Sequence, residues 1–337
     1  MSLAKYIKEI ACGTDRATDL SEEDAHDLFA VLLDGGATDL ELGAVLAALR
    51  LKTESLSEML GFHRAMSERV HAMAAPEGRC KPLVIGTYNG ARDGPNLLPL
   101  LALMLRRLGI PVLLHGTLEG SGRVASAYIL RELGVMPCIS IAHAQKALQE
   151  EGFAFVPTAT LSPGMANLLA LRNRLGVRNV AHNLVKVLDP FQGEGVKVVS
   201  ATHPLHREKL EVFLNAAGIE AMLLKSTEGE PFANPRQRPR MVHFRDGTAS
   251  TLFEEEAAPS RGAVGLPERD AAATAHWIRL ALEGKVPVPH PIVNQLACCL
   301  FASGYTEDMN QAKAIAAVEA GGLATAAARG RQNAAID

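Results

Sequence analysis

Aromatic residues are scarce in this chain. They make up 4% of its 337 residues, with a single tryptophan, Trp277. The core must therefore be built from Leu, Val, Ile and Ala, and no row of stacking rings for single-stranded bases is evident. Long apolar runs are lacking too. The longest candidate, Leu97 to Leu105, is interrupted by Pro99 and stopped by Arg106 and Arg107, far short of the roughly 18 residues a membrane helix needs. The first ten residues carry Lys5, Lys8 and Glu9 where a signal peptide would be apolar. A soluble, cytoplasmic protein without membrane partners is expected. The five cysteines, Cys12, Cys80, Cys138, Cys298 and Cys299, follow no zinc-site spacing. Cys298 and Cys299 fall in an apolar helical stretch, where free Cys packs as a small hydrophobe.

Strong net charge is also absent, the balance being −3, but the charges are unevenly spread. Residues 1–80 hold 8 Lys and Arg against 14 Asp and Glu, whereas residues 172–245 hold 12 against 7. Such asymmetry points to an anionic partner where the total does not.

The first seventy residues read as helices. Ser21 or Asp19 stands as an N-cap before an acidic turn, and Ala25, Leu28, Phe29 and Leu32 recur at helical spacing. Thr38-Asp-Leu-Glu is a capping box, and a further helix is expected over about Ser55 to Met73. After Pro82 the rhythm changes. Leu83-Val-Ile-Gly, Pro111-Val-Leu-Leu-His, Gly152-Phe-Ala-Phe-Val, Val196-Lys-Val-Val-Ser, Glu220-Ala-Met-Leu-Leu and Met241-Val-His-Phe read as strands with helices between most of them. This alternation predicts an α/β fold with a mainly parallel sheet covered on both faces. Residues 162–190 are mostly helical, and Pro267 to Gly321 reads as three closing helices.

Ligands of such sheets gather where strands lead into helix N-termini. Two glycine-rich turns stand at such places, Gly86-Thr-Tyr-Asn-Gly-Ala-Arg-Asp-Gly-Pro-Asn and His115-Gly-Thr-Leu-Glu-Gly-Ser-Gly-Arg. Their free N–H groups suit a phosphate, or they are ordinary tight turns.

These turns carry a resemblance to the anthranilate phosphoribosyltransferase family that extends over nearly the whole chain. Leu20-Ser-Glu-Glu-Asp-Ala through Leu49-Arg-Leu-Lys resembles the family's N-terminal helices, and Pro163 to Gly176 and Asn294 to Gly304 fall in matching order. The resemblance implies an N-terminal all-helical domain and a larger α/β domain with a mixed, mainly parallel central sheet. It also implies a homodimer formed through the helical domains. The division expected is 1–75, with part of 162–190, for the helical domain, and 80–161 with 191–337 for the α/β domain.

The departures from the family are specific. Gly86, Thr87 and Asn96 match its first turn, but Tyr88 and Asn89 replace paired glycines and Gly90 stands at an aspartate. Leu98 and Pro99 replace the two hydroxyl residues that serve phosphate and magnesium. In the second turn only His115 and Gly116 match, with Leu114, Thr117 and Leu118 in place of Lys, Asn and Arg. The family's Asp-Glu metal pair has no clean counterpart in Thr227-Glu-Gly-Glu. Mg²⁺ requires oxygen ligands in near-octahedral array, and Leu and Pro supply none. Gly86, Thr87, Asn96, His115, Gly116 and Arg172, which matches the family's acceptor-holding arginine, thus read as a vestigial substrate pocket. No catalytic residue and no cofactor are expected.

The same departures resemble a nucleic-acid-binding branch of the family, the YbiB type, through Tyr88-Asn-Gly-Ala-Arg, Gly176-Val-Arg-Asn, Thr227-Glu-Gly-Glu, Ala233-Asn-Pro, Ala297-Cys-Cys-Leu and Ile7-Lys-Glu-Ile. That resemblance implies sequence-tolerant binding of DNA and RNA by a homodimer. The residues that suit it are Arg172, Arg174 and Arg178 on an expected helix, and Arg236, Arg238 and Arg240 alternating in a loop. Lys186, Lys197, Arg207 and Lys209 lie on nearby segments, and Arg92 and Arg123 sit in the two turns. Guanidinium forks grip phosphate with little reading of bases. The plainer alternative is a solvated charged surface. The competing function is transfer of phosphoribose from phosphoribosyl pyrophosphate, with Mg²⁺ needed only in that case.

Overall fold

The computed structural model describes residues 3–13, 16–120, 122–256 and 265–321. Ser121, in the second glycine turn, and residues 322–337, at the end of the expected α/β segment, lie outside them.

Four helices come first, α1 (Ala4–Ile10), α2 (Glu22–Leu33), α3 (Asp39–Lys52) and α4 (Leu56–Ser67). Their starts are fixed locally. Ser21 caps α2 by accepting from the Asp24 amide, and Thr38 and Ser55 each form a full capping box, with Glu41 and Glu58. Glu58 is wholly buried, receiving the Leu20 amide at 3.1 Å and the Lys52 ammonium at 2.9 Å. α4 stops at Ser67 rather than Met73 because the chain beyond it is tied elsewhere. The His71 amide donates to the Leu161 carbonyl at 2.8 Å and the Met73 amide to that of Pro190 at 2.9 Å.

The seven strands are β1 (Leu83–Thr87), β2 (Val112–Gly116), β3 (Phe153–Pro157), β4 (Val196–Ala201), β5 (Ala221–Lys225), β6 (Met241–Arg245) and β7 (Thr248–Phe253). They form one sheet in the order β3-β2-β1-β4-β5-β6-β7. The first five run parallel, and β6 and β7 are antiparallel additions at one edge. Six were expected; β7, with Thr248 to Thr251 exposed, was not.

Alternate strand residues feed two cores. Val84, Leu113, Val156, Val199 and Leu223 join a core continuous with the N-terminal helices and with segment 161–191. Leu83, Ile85, Val112, Leu114, Val198 and Met222 face the helices Leu98–Arg107, Ala271–Leu282 and His290–Ala302. Cys298, Cys299 and Trp277 are buried in this second core. Because β1 has β2 on one side and β4 on the other, the winding reverses between β1 and β4. The crevice at the carboxyl ends of these two strands is where an α/β sheet presents a ligand site.

Candidate functional site

The turn after β1 is filled from within the chain. Glu230, following β5, is wholly buried. Its carboxylate accepts from the Asn89 amide at 2.8 Å, the Gly90 amide at 2.7 Å and the Thr87 hydroxyl at 2.5 Å. Glu228 accepts from the backbone N–H groups of Arg92, of Asp93 at 3.0 Å and of Gly94 at 2.9 Å. Five amides of the expected phosphate turn are thereby satisfied by two carboxylates. Burial pushes the Glu230 carboxyl up from its ordinary range, while the Thr87 hydroxyl and the two amides hold it down by less. Tyr88 donates its hydroxyl to the His182 carbonyl at 2.8 Å and pins the turn to the segment behind it.

The remaining turn residues close the floor. Thr87 Oγ1 lies 2.7 Å from Ser126 Oγ, and Asn96 Nδ2 donates to that same oxygen at 3.1 Å. His115 is wholly buried beside Gly86, and neither ring nitrogen has a hydrogen-bond partner among the described residues. Burial lowers its pKa to about 4, so the ring is neutral. The donor set does not suit magnesium. Thr87, Glu228 and Glu230 are engaged with one another or with backbone amides, and Leu98 and Pro99 are buried and apolar. Among the described residues no three His, Cys, Asp or Glu side chains converge as a metal site.

Around this closed turn the cations gather. Arg123 donates to the carbonyls of Gly90 at 3.3 Å and Glu228 at 3.2 Å. Arg178 donates to the Asn89 side-chain oxygen. Burial lowers the Arg172 pKa, and the charges of Arg178, Arg123 and Arg92 lower it further. Arg269, which sequence reasoning passed over, reaches the Arg92 carbonyl. None of these five arginines forms an ion pair among the described residues. Lys186 stands next to them, its pKa lowered to about 8 by burial and then by Arg178.

The other expected cations are elsewhere engaged. Arg174 pairs with Asp39 of α3 at 3.2 Å. It does not share a helix with Arg178, because the helix Arg172–Leu175 ends at Gly176, whose φ of +72° turns the chain away. Arg207 and Arg240 both face Glu211, at 3.9 and 3.5 Å. Arg238 pairs with Glu256 at 3.4 Å and lies over the Phe253 ring. Arg236 is exposed, in a turn where its amide bonds the Asn234 side chain. The three alternating arginines therefore do not form a row. Lys197 is buried against Asp189 at 2.6 Å and serves the core.

Beside the arginines a cavity of about 160 Å³ opens at the carboxyl ends of β1, β4 and β5. Tyr88, Asn89, Arg178, Lys186 and His206 contribute to its wall, as does Arg50 of α3, another residue sequence reasoning missed. Gly86, Thr87, Asn96, His115 and Gly116 do not line it. His203 and His206 frame the start of the helix Pro204–Ala216.

The helical bundle domain of the glycosyl transferase family matches residues 4–70. The Escherichia coli K12 protein YbiB is 40% identical over 306 residues, covering 90% of this chain and 95% of that one. The anthranilate phosphoribosyltransferase of Rhodospirillum rubrum is 26% identical over 336 residues, 97% of this chain and 95% of the enzyme. Among solved structures, the Thermus thermophilus anthranilate phosphoribosyltransferase matches with a TM-score of 0.74 over 94% of both chains, at 24% identity, which shows a shared fold. On the relationship to YbiB and the matching architecture, the chain belongs to the anthranilate phosphoribosyltransferase-like family that includes YbiB.

Proposed function

We propose that the chain binds DNA and RNA through their phosphate backbones, with little regard to sequence, and that this role has replaced phosphoribosyl transfer. One observation carries the reading: Arg92, Arg123, Arg172, Arg178 and Arg269 surround a turn whose amides are already satisfied, and among the described residues no carboxylate side chain forms an ion pair with any of them. Unpaired guanidinium groups held close together repel one another and favour a polyanion that neutralises several at once. A sugar diphosphate with its metal meets a different setting, because the amides and oxygens it would need have partners within the chain. The protein would act as a cytoplasmic homodimer, joined through its helical domains, where α3 leaves Leu40 and Leu51 exposed. Among the described residues no helix is long and apolar enough to cross a membrane.

Fluorescence-anisotropy titration of labelled single-stranded DNA, duplex DNA and RNA across a salt series tests this. Engagement of five or six cations gives a log–log salt slope of roughly −4.5 to −5.4 on duplex DNA and roughly −3.5 to −4.2 on single strands. Absence of binding at low salt would end the proposal. In parallel, calorimetry with phosphoribosyl pyrophosphate and Mg²⁺ should give no saturable heat; tight binding there would favour the transferase instead.

A further inference from the structure

The segment Thr227–Glu230 is a hairpin tip. The Thr227 amide donates to the Glu230 carbonyl at 3.1 Å and the Glu230 amide to the Thr227 carbonyl at 2.9 Å. Its two central residues, Glu228 and Gly229, have φ of +55° and +96°, the left-handed geometry of a type I′ turn. Glycine suits this conformation and glutamate does not. Gly229 is also required by proximity, since a Cβ there would fall 2.9 Å from the Asn89 side chain. The tip therefore holds a strained glutamate and a glycine so that two carboxylates, one residue apart, reach two adjacent groups of donors. One group is Thr87, Asn89 and Gly90; the other is Arg92, Asp93 and Gly94.

A nest of backbone N–H groups joined by a donating hydroxyl is selective for anions. Here each group is matched by one carboxylate, as each would be by one phosphoryl group. Glu230 is buried without an ion-pair partner among the described residues. Burying a carboxylate in that way is costly unless hydrogen bonds compensate, and the nest supplies that compensation.

We propose that the Thr227–Glu230 hairpin is an internal anion that occupies a two-part oxyanion cradle, and that it competes with phosphate-type ligands for the same amides. The cradle is then a latent site for phosphate and diphosphate groups, held closed by the chain itself. This holds whether or not the protein binds nucleic acid.

Sodium pyrophosphate and inorganic phosphate, without divalent metal, are titrated calorimetrically into the full-length protein and into Glu228→Ala and Glu228→Ala/Glu230→Ala variants. Far-UV circular dichroism establishes that each is folded. Release of the charge-assisted contacts should raise pyrophosphate affinity at least about tenfold over the unaltered chain, with a smaller gain for phosphate. Should the double variant not fold, Glu228→Ala alone frees the outer group of amides and must show the same direction of change. Folded variants with no gain, or an unaltered chain that binds pyrophosphate as tightly as they do, overturn the proposal. Nucleic-acid titration of the unaltered chain reads the functional proposal separately.

Discussion

Arg269 donates a hydrogen bond to the backbone carbonyl of Arg92 at 2.7 Å. The loop ahead of the helix Ala271–Leu282 thus delivers a guanidinium to the turn after β1. The placement separates arginines that have no ion pair among the described residues from those that have one. Alanine at Arg172, Arg178 or Arg269 should weaken binding of every nucleic acid by about tenfold or more and make the salt slope shallower by about one. Alanine at Arg174 or Arg238, whose guanidinium groups pair with Asp39 and Glu256, should change affinity less than about twofold, as for surface ion pairs. Equal losses in the two sets would show that the converging cluster is not the contact surface.

Lys186 adds a pH signature. Its pKa of about 8 means that its charge fades over a range where ordinary lysines stay protonated. Affinity should therefore fall as pH rises from 7 to 9, and Lys186→Met should flatten that dependence. The effect on stability has the opposite sense. The unfolded chain holds more protons on Lys186 between about 8 and the ordinary lysine value of 10.5, so its contribution to stability rises with pH across that window. Anisotropy and urea titrations at matched pH values check both signs; a Lys186→Met protein with unaltered pH dependence would remove Lys186 from the interface.

What the sequence disclosed and what it concealed follow from range. The caps at Ser21, Thr38 and Ser55 are written within four residues, and the six apolar strands announce themselves by composition. β7 lacks an apolar stripe; its available signal was Asp246-Gly247, which turns with φ of +51° and +69°, a dipeptide typical of two-residue hairpins. The bond from the Asn89 amide to Glu230 spans 141 positions. No local pattern states which amide a distant carboxylate will cap, so the two turns read as open when one is filled. Likewise Arg174 and Arg178 read as one face until Gly176 is seen to end the helix, and Arg269 had no basic neighbours to mark it.

The buried histidines predict acid sensitivity. His115 and His182 have pKa values lowered to about 4, His115 by burial and His182 by burial and then by Arg178 and Arg172. Both are neutral in the fold, and the unfolded chain binds the extra protons between about 4 and the ordinary value of 6.5. Their stabilising contribution is complete above that upper value and is lost as pH falls toward 4. The unfolding free energy from urea titration should drop by several kcal/mol between pH 7 and 4.5, a large part of a typical domain's stability. His115→Leu should make that decline shallower, since His115 has no hydrogen-bond partner to lose among the described residues. An unchanged pH profile would assign the acid transition to other groups.

The proposed homodimer places its contact on α3. Leu40 and Leu51 are 83% and 75% exposed and lie eleven residues apart, three helical turns along one face. The ion pair between Arg174 and Asp39 brings the short helix Arg172–Leu175 to the start of α3, where Leu175 and Val177 are partly exposed as well. Exposed large apolar side chains are what an interface on this face would cover. Glutamate at both Leu40 and Leu51 should leave the fold intact, because neither side chain is in the core, and should convert a dimer to a monomer in sedimentation velocity. Nucleic-acid affinity should then fall on long oligonucleotides more than on short ones, because two linked sites act together only when the ligand spans both. A native chain that sediments as a monomer at micromolar concentration, or a double variant that remains a dimer, would place the association elsewhere or remove it.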